Sequence, residues 1–137
     1  MDLTTCKKNG LIRSTRVDKN LISSLIEMSK IKENIVKDTT LNTININGFF
    51  PMAYDSLREL MEAYSVLHGQ KVGNHECLGK LVNHLSPQFD MFTFERLRIA
   101  RNGVNYYGIK VDFEQGQELI LKIWGLNESM RTLLSQS

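Results

Sequence analysis

Apolar residues recur at helical spacing in five segments of this chain, and turn signals separate each segment from the next. In the clearest segment they stand three or four residues apart, at Tyr54, Leu57, Leu60, Met61, Tyr64 and Leu67. A helix of 3.6 residues per turn gathers such positions on one face, so each segment predicts an amphipathic helix. Short connections favour antiparallel neighbours. The sequence therefore predicts an all-α protein, an up-and-down bundle of four to five helices.

Capping residues and helix breakers set the expected bounds of these helices. We expect helices over about 18–37, 51–69, 74–86, 89–108 and from 112 onward. Asp18, Asn74 and Asp112 are suited to N-cap positions. Pro51 fits a first helical turn, and Gly108 fits a helix end.

The segments between the helices and the buried faces follow from the same pattern. Residues 38–50 predict an extended connection with a turn at Asn47-Gly48, and residues 70–73 predict a turn. The apolar face of the first helix is expected to point inward, and so is that of the last. These faces comprise Leu21, Leu25, Met28, Ile31 and Ile35 in the first helix, and Leu119, Ile120, Ile123, Trp124 and Leu133 in the last.

The length of 137 residues fits a single domain spanning 1–137, with a basic N-terminal segment at 1–16. No apolar run approaches the roughly 18 residues of a membrane span, and the first residues do not resemble a signal peptide. We therefore expect a cytoplasmic protein with no membrane partner. Cys6 and Cys77 lie far apart and form no Cys-x-x-Cys pair, so we expect reduced thiols, with Cys77 in the core.

Basic residues concentrate in two stretches although the formal net charge is only +2. Residues 1–20 hold five basic against two acidic side chains, and residues 91–110 hold four against one. Such patches suit a polyanionic partner or an acidic protein surface, but helical proteins also show them with no ligand.

Familiar catalytic and cofactor motifs are missing from the sequence. There is no Gly-rich phosphate loop, His-Glu-x-x-His metal motif or Gly-x-Ser-x-Gly turn, so we expect no metal and no cofactor. His75 and Glu76 could form an acid/base pair, joined by His68 or His84. The alternative interpretation is that these are surface histidines near helix ends.

The fourth predicted helix carries an unusual set of polar residues beside its apolar face, which comprises Phe94, Leu97, Ala100, Val104 and Tyr107. Arg98, Arg101, Asn102 and Asn105 lie along the margin of that face. An arginine beside apolar neighbours needs acceptors, because an unpaired buried charge is costly.

A charged strip on the second helix could supply those acceptors. Its members are Asp55, Arg58, Glu59 and Glu62. Either the strip is solvated, or its carboxylates face Arg98 and Arg101 and hold them. Gly103 costs roughly 1 kcal/mol within a helix. Either a second copy of the helix approaches closely there, or the helix frays from Gly103 onward.

The helical pattern and the segment from Arg101 to Gly108 together resemble the HEPN superfamily of small helical proteins, most closely small archaeal members. The resemblance spans most of the chain. It includes the segments Tyr54-Asp55-Ser56-Leu57-Arg58-Glu59, Asn74-His75-Glu76-Cys77 and Leu97-Arg98-x-x-Arg101-Asn102-Gly103. Many HEPN proteins are metal-independent ribonucleases or toxins that act as homodimers, often beside a nucleotidyltransferase-type antitoxin.

The HEPN motif is an arginine, a polar residue, a short spacer and a histidine. Arg101 and Asn102 match its first two positions, whereas Tyr106 stands where the histidine is usual. A phenol, with a pKa near 10, is a poor base at neutral pH, although it can donate a hydrogen bond to phosphate. The resemblance thus implies a candidate catalytic set of Arg101, Asn102 and Tyr106, with altered chemistry.

Three functions follow from this resemblance. The first is a dimer that binds RNA or a nucleotide through Arg98, Asn105, Tyr107 and His75 together with the catalytic set, supported by the carboxylates of Asp55, Glu59 and Glu62. The second is an endoribonuclease that uses the same groups. The third is an interaction module within a toxin-antitoxin system, in which the polar residues only specify the dimer.

Overall fold

The computed structural model describes residues 1–136, which form six helices and one two-stranded sheet. The helices are α1 (Leu3–Lys8), α2 (Lys19–Lys37), α3 (Ile46–Leu67), α4 (His75–Leu85), α5 (Met91–Tyr107) and α6 (Phe113–Ser135). The strands are β1 (Ile12–Ser14) and β2 (Gln70–Val72), which pair antiparallel. The all-α prediction is confirmed. Across the described residues, no helix combines the length and apolar character that a bilayer span requires.

Helix α3 forms the centre of the bundle. It contacts α2, α4, α5 and α6, and the apolar side chains of its middle turns are buried. The buried set includes Phe50, Tyr54, Leu57, Leu60 and Met61. The core predicted for this helix is therefore confirmed from Tyr54 to Tyr64.

Buried polar residues join α2, α3 and α6 on one side of the core. Asn127 donates from Nδ2 to Glu33 Oε1 at 2.8 Å and to Ser56 Oγ at 2.9 Å. Arg131 Nη2 donates to the same Glu33 oxygen at 2.7 Å. Ser29 Oγ donates to the Ser56 carbonyl at 2.6 Å. We call these five residues the polar seam. Its bonds hold three helices in one register, because buried polar groups must find their partners.

The polar seam explains why the prediction for the inward face of α2 was wrong. Of the five predicted residues, Leu21 and Leu25 are half-buried, and Met28, Ile31 and Ile35 are exposed. The residues of α2 that are buried are Ser29, Glu33 and Val36. Counting apolar residues misplaced the C-terminal half of this face, because two of its buried residues are polar and are satisfied by residues of α3 and α6. Asp18 does cap α2, as predicted, by accepting from the Leu21 amide at 3.0 Å.

The connection before α3 is shorter than predicted. Helix α3 begins at Ile46, so Asn47 and Gly48 lie in its first turn rather than in a separate turn. The Asn47 side chain bonds the backbone N–H and C=O of Val111, both at 2.9 Å. This long-range pair anchors the first turn of α3 to the α5–α6 connection. Pro51 lies inside the helix instead of starting it.

The N-terminal segment is structured and is attached to the body of the protein. Ile12 of β1 pairs with Val72 of β2, so residues 70–72 form a strand where a turn was predicted. Cys6 of α1 forms a disulfide bond with Cys77 of α4. The prediction of reduced thiols was therefore wrong, although Cys77 is buried as expected. Sequence spacing cannot show that two distant cysteines meet in the fold.

The remaining helix ends agree with the sequence. Asn74 caps α4, Asp112 caps α6, and α5 ends at Gly108, whose φ is 64°. In α6, Leu119, Ile120 and Ile123 are buried as predicted, while the side chains of Trp124 and Leu133 are half-buried against the core.

The polar seam should make folding stability depend on acid pH. Although burial raises it, hydrogen bonds from Arg131, Asn127 and Lys37 lower the pKa of Glu33 to about 2. The pKa of a glutamate in the unfolded chain is near 4.3. The contribution of ionised Glu33 to folding stability is therefore complete above that pH and is lost as the pH falls toward 2. We expect a loss of about 3 kcal/mol from this residue.

Urea unfolding of the wild type and of Glu33→Gln between pH 7 and pH 2 would measure this effect. The variant should be less stable at pH 7 and should lose about 3 kcal/mol less on acidification. Glu118→Gln, at an exposed position of α6, is the matched control. Equal pH profiles for the wild type and Glu33→Gln would contradict the assignment.

Candidate functional site

A polar cleft lies between the start of α4 and the C-terminal half of α5. Its volume is about 280 Å³. Residues from the β2–α4 connection and from both helices line it, namely Gly73, Asn74, His75, Glu76, Arg98, Arg101, Asn102 and Tyr106.

Local sequence features hold the two walls of the cleft together. Asn74 accepts from the Cys77 amide at 2.9 Å and so fixes the residue at which α4 begins. Gly79 allows α4 to approach α5 closely, because a Cβ at this position would lie 2.6 Å from Cε2 of Phe94. The close approach brings His75 and Glu76 next to the polar margin of α5.

Arg101 is the most constrained cation of the cleft. Its side chain is only 11% exposed. The guanidinium carbon lies 5.4 Å from the ring centre of Tyr54 and 5.6 Å from that of Tyr106, and Nη1 donates to the Tyr106 hydroxyl at 3.2 Å. The carboxylate nearest to Arg101 is that of Asp55, at 3.6 Å from Nη2. The Nε atom of Arg101 is buried and has no hydrogen-bond partner. Aromatic rings therefore shelter a charge that acceptors only partly satisfy.

Arg98, one turn away, is already paired. Its Nε donates to Glu95 Oε1 at 3.1 Å, and its Nη2 donates to Oε2 at 2.8 Å. Glu76 lies 3.8 Å from Nη2 on the other side. The hydrogen bonds that Arg98 donates to Glu95 raise the pKa of the guanidinium. Arg101 is thus the cation of the cleft with unused bonding capacity.

His75 and Tyr54 form a hydrogen-bonded pair at the back of the cleft. The Tyr54 hydroxyl lies 3.2 Å from His75 Nδ1. Burial, and then the nearby cations Arg58 and Arg101, lower the pKa of His75 to about 4. Burial raises the pKa of Tyr54. At neutral pH the cleft therefore holds an uncharged imidazole beside an uncharged phenol.

The structure brings together six of the candidate residues identified in the sequence. The cleft is lined by Arg98, Arg101, Asn102, Tyr106, His75 and Glu76. The other candidates lie outside the cleft. Asn105 and Tyr107 are exposed on α5, and neither His68 nor His84 lines the cleft.

The charged strip of α3 only partly faces the arginines of α5. Asp55 lies beside Arg101, as expected if carboxylates of α3 hold the arginines of α5. Glu62 instead pairs with Arg58 at 2.9 Å, and Glu59 pairs with Lys32 of α2 at 2.9 Å. The expected supporting role thus fits Asp55. The contact of Glu59 joins α3 to α2, whereas that of Glu62 lies within α3.

Helix α5 does not fray at Gly103. It continues to Tyr107, and the amide of Ile109 donates to the Gly103 carbonyl at 2.9 Å. A Cβ on Gly103 would lie 3.5 Å from the Ile109 side chain, an ordinary contact. The close neighbour of Gly103 is therefore a residue of the same chain.

Two residues in or next to the site were not identified as such from the sequence. Tyr54 was assigned only to the core, and Asn74 only to a cap. Tyr54 does lie in the core, and its hydroxyl bonds His75, which lines the cleft. The sequence feature that could have identified Tyr54 is a tyrosine at a core position, because a buried hydroxyl requires a polar partner.

Comparison with known proteins leaves the family open. No protein-family model, no curated protein and no solved structure matches the chain. Within residues 1–136, no group of three or more His, Cys, Asp or Glu side chains is placed to hold a metal ion.

The unusual environment of His75 can be measured directly. We expect its imidazole to titrate with a pKa of about 4 in NMR spectra of the folded protein. Because burial is the largest cause and Arg101 contributes only part of the shift, Arg101→Gln should raise the pKa but leave it below 6.5. Arg16→Gln, at an exposed position far along the sequence, should leave it unchanged. A wild-type value near 6.5 would contradict the described burial.

Proposed function

We propose that this protein binds the phosphate groups of RNA or of a nucleotide in the α4–α5 cleft, as a HEPN-like protein. The cleft is polar, is open to ligand and is flanked by arginine and asparagine side chains. Arginine suits this role because its planar fork matches the oxygens of a phosphate.

The observation that carries this proposal is the state of Arg101. Its guanidinium is held in place by two aromatic rings, its Nε is buried without a partner, and the nearest carboxylate lies beyond hydrogen-bond distance. A phosphate oxygen that bonds the terminal nitrogens Nη1 and Nη2 would add acceptors to this charge without displacing a strong ion pair. Preorganised donors of this kind bind an anion at little further entropic cost.

Neighbouring side chains suit the rest of a nucleotide. Tyr106 is 67% exposed at the mouth of the cleft, so its ring is accessible for stacking with a base. Asn102 offers an amide donor and acceptor beside Arg101. A single-stranded RNA fits this combination of a sheltered cation and an exposed ring.

RNA binding should depend on the fork of Arg101 and not only on its charge. We expect Arg101→Gln to weaken binding of a labelled single-stranded RNA by roughly 10- to 100-fold, and Arg101→Lys to restore little of it. Fluorescence anisotropy at fixed salt concentration would measure both. Arg96→Gln removes the same charge from an exposed position of α5 and serves as the control. Equal affinity of Arg101→Gln and the wild type would exclude the proposed site.

A second candidate function, metal-independent endoribonuclease, is favoured by the position of His75. The sequence lacks the usual motif histidine, but His75 lies in the same cleft as Arg101 and Tyr106. When its Nδ1 donates to Tyr54, its Nε2 is free to take the proton of an RNA 2′-hydroxyl. The 2′-oxygen would then bond to phosphorus as the bond to the 5′-oxygen breaks. That oxygen takes a proton from water, and His75 releases the proton it accepted back to the solvent.

The same RNA, incubated with the protein in EDTA, separates the two candidates. Cleavage that disappears in His75→Ala, while binding persists, would support the nuclease. Binding by the wild type without any cleavage would support the binding role alone. Copurification of a nucleotidyltransferase-type protein, with no RNA bound by the wild type, would instead support the interaction module of a toxin-antitoxin system.

We further propose that two copies meet along α5. Phe92, Ile99 and Tyr106 are spaced by seven residues and are 75%, 61% and 67% exposed. Seven-residue spacing places them on one stripe of the helix, and Tyr106 also belongs to the cleft. Exposed apolar stripes of this kind are typical of protein interfaces. Arg101 itself is sheltered within its own chain, so the cleft exists in each protomer without the partner.

Ile99→Asp should convert this dimer into a monomer, because it places two charges in an apolar contact. Light scattering over a range of concentrations would report the mass. Leu121→Asp adds the same charge at another exposed apolar position, in α6, and should leave the mass unchanged. A monomeric wild type would contradict the dimer while leaving the Arg101 experiment valid.

A further inference from the structure

The short sheet presents two cations directly opposite one another. In the register of β1 and β2, Arg13 pairs with Lys71. Both side chains are exposed, whereas Ile12 and Val72 of the adjacent pair are buried. Because side chains alternate along a strand, Arg13 and Lys71 stand on the outer face together.

Such a pair destabilises a sheet. Side chains that face each other across an antiparallel pair lie close together, and like charges there repel. No carboxylate of the described residues forms an ion pair within 4 Å with Arg13 or Lys71. Lys7 and Lys8 end the helix that precedes β1, and they too lack such a partner. We call these four residues the basic ribbon.

The basic ribbon leads directly to the cleft. Strand β2 ends at Val72, and the next residues, Gly73 to Glu76, line the cleft. Lys71 precedes Gly73 by two residues, or roughly 7 Å of extended chain. The Cys6–Cys77 disulfide and the sheet both fix the ribbon to α4. Lys71 also borders a second groove, which Leu21, Leu25 and Glu62 line. A ligand seated on Arg101 would therefore reach Lys71 and Arg13 if it passes Gly73 and follows β2 out of the cleft.

We propose that the basic ribbon is a second contact for the RNA backbone, so that the ligand is an RNA strand of several nucleotides and not a free nucleotide. This inference rests on the proposed function of the cleft. Phosphates between Arg13 and Lys71 would neutralise the repulsion that the sheet otherwise bears. The contact is sequence-independent, because it reads the backbone and no base edges.

The test compares a labelled 12-nucleotide RNA with a trinucleotide in the double variant Arg13→Gln/Lys71→Gln. For a single strand, the logarithm of the affinity falls linearly with the logarithm of the salt concentration, and each phosphate contact contributes to that slope. Losing two contacts should make the slope shallower by about 1.4. Between 50 and 200 mM salt, the wild type should thus lose about sevenfold more affinity for the 12-nucleotide RNA than the variant. Binding of the trinucleotide should not change.

Controls separate this inference from the proposed function and from misfolding. Lys19→Gln/Lys122→Gln removes two charges elsewhere and should retain the wild-type salt slope. The ribbon variant should melt at the same or a higher temperature, because a repulsive pair is removed. An unchanged slope for the ribbon variant would overturn the ribbon contact, even if Arg101→Gln still abolishes binding. Loss of binding in the ribbon variant alone, with Arg101→Gln unaffected, would instead overturn the cleft.

Discussion

The burial of α3 among four other helices is the constraint on which the rest of the structure depends. A helix covered on so many sides buries several of its polar side chains, and those buried groups require hydrogen-bond or ion-pair partners. Ser56 finds Asn127 and Ser29 in the polar seam, and Glu59 finds Lys32. At its other face, Tyr54 finds His75. The same requirement thus fixes the bundle on one side and builds the cleft on the other.

The seam and the cleft meet this requirement to different degrees. Glu33 accepts from Asn127, Arg131 and Lys37, so its charge is stabilised by several donors and its role is structural. Arg101 has one hydroxyl acceptor, a more distant carboxylate and two rings. An incompletely paired charge that is held rigid favours a ligand over a purely structural role. This contrast within one protein is why the function is assigned to the cleft and not to the seam.

The sequence predicted those features that depend on local pattern. Caps at Asp18, Asn74 and Asp112, the end of α5 at Gly108 and the core face of α3 all follow from residues close in the chain. Features that depend on tertiary contacts were missed. Helix α3 starts early because Asn47 bonds Val111, 64 residues away, and the sheet forms from segments that no local signal joins.

The inward face of α2 was also mispredicted because it depends on tertiary contacts. Apolar periodicity alone assigned Met28 and Ile31 to the core, because it cannot credit a glutamate with buried partners on α6. Within the site, by contrast, the residues of α5 were found because an arginine beside an apolar face is locally anomalous. Tyr54 and the start of α4 join Arg101 only through the fold. A search for cations without local partners is therefore more informative about this site than a search for apolar periodicity.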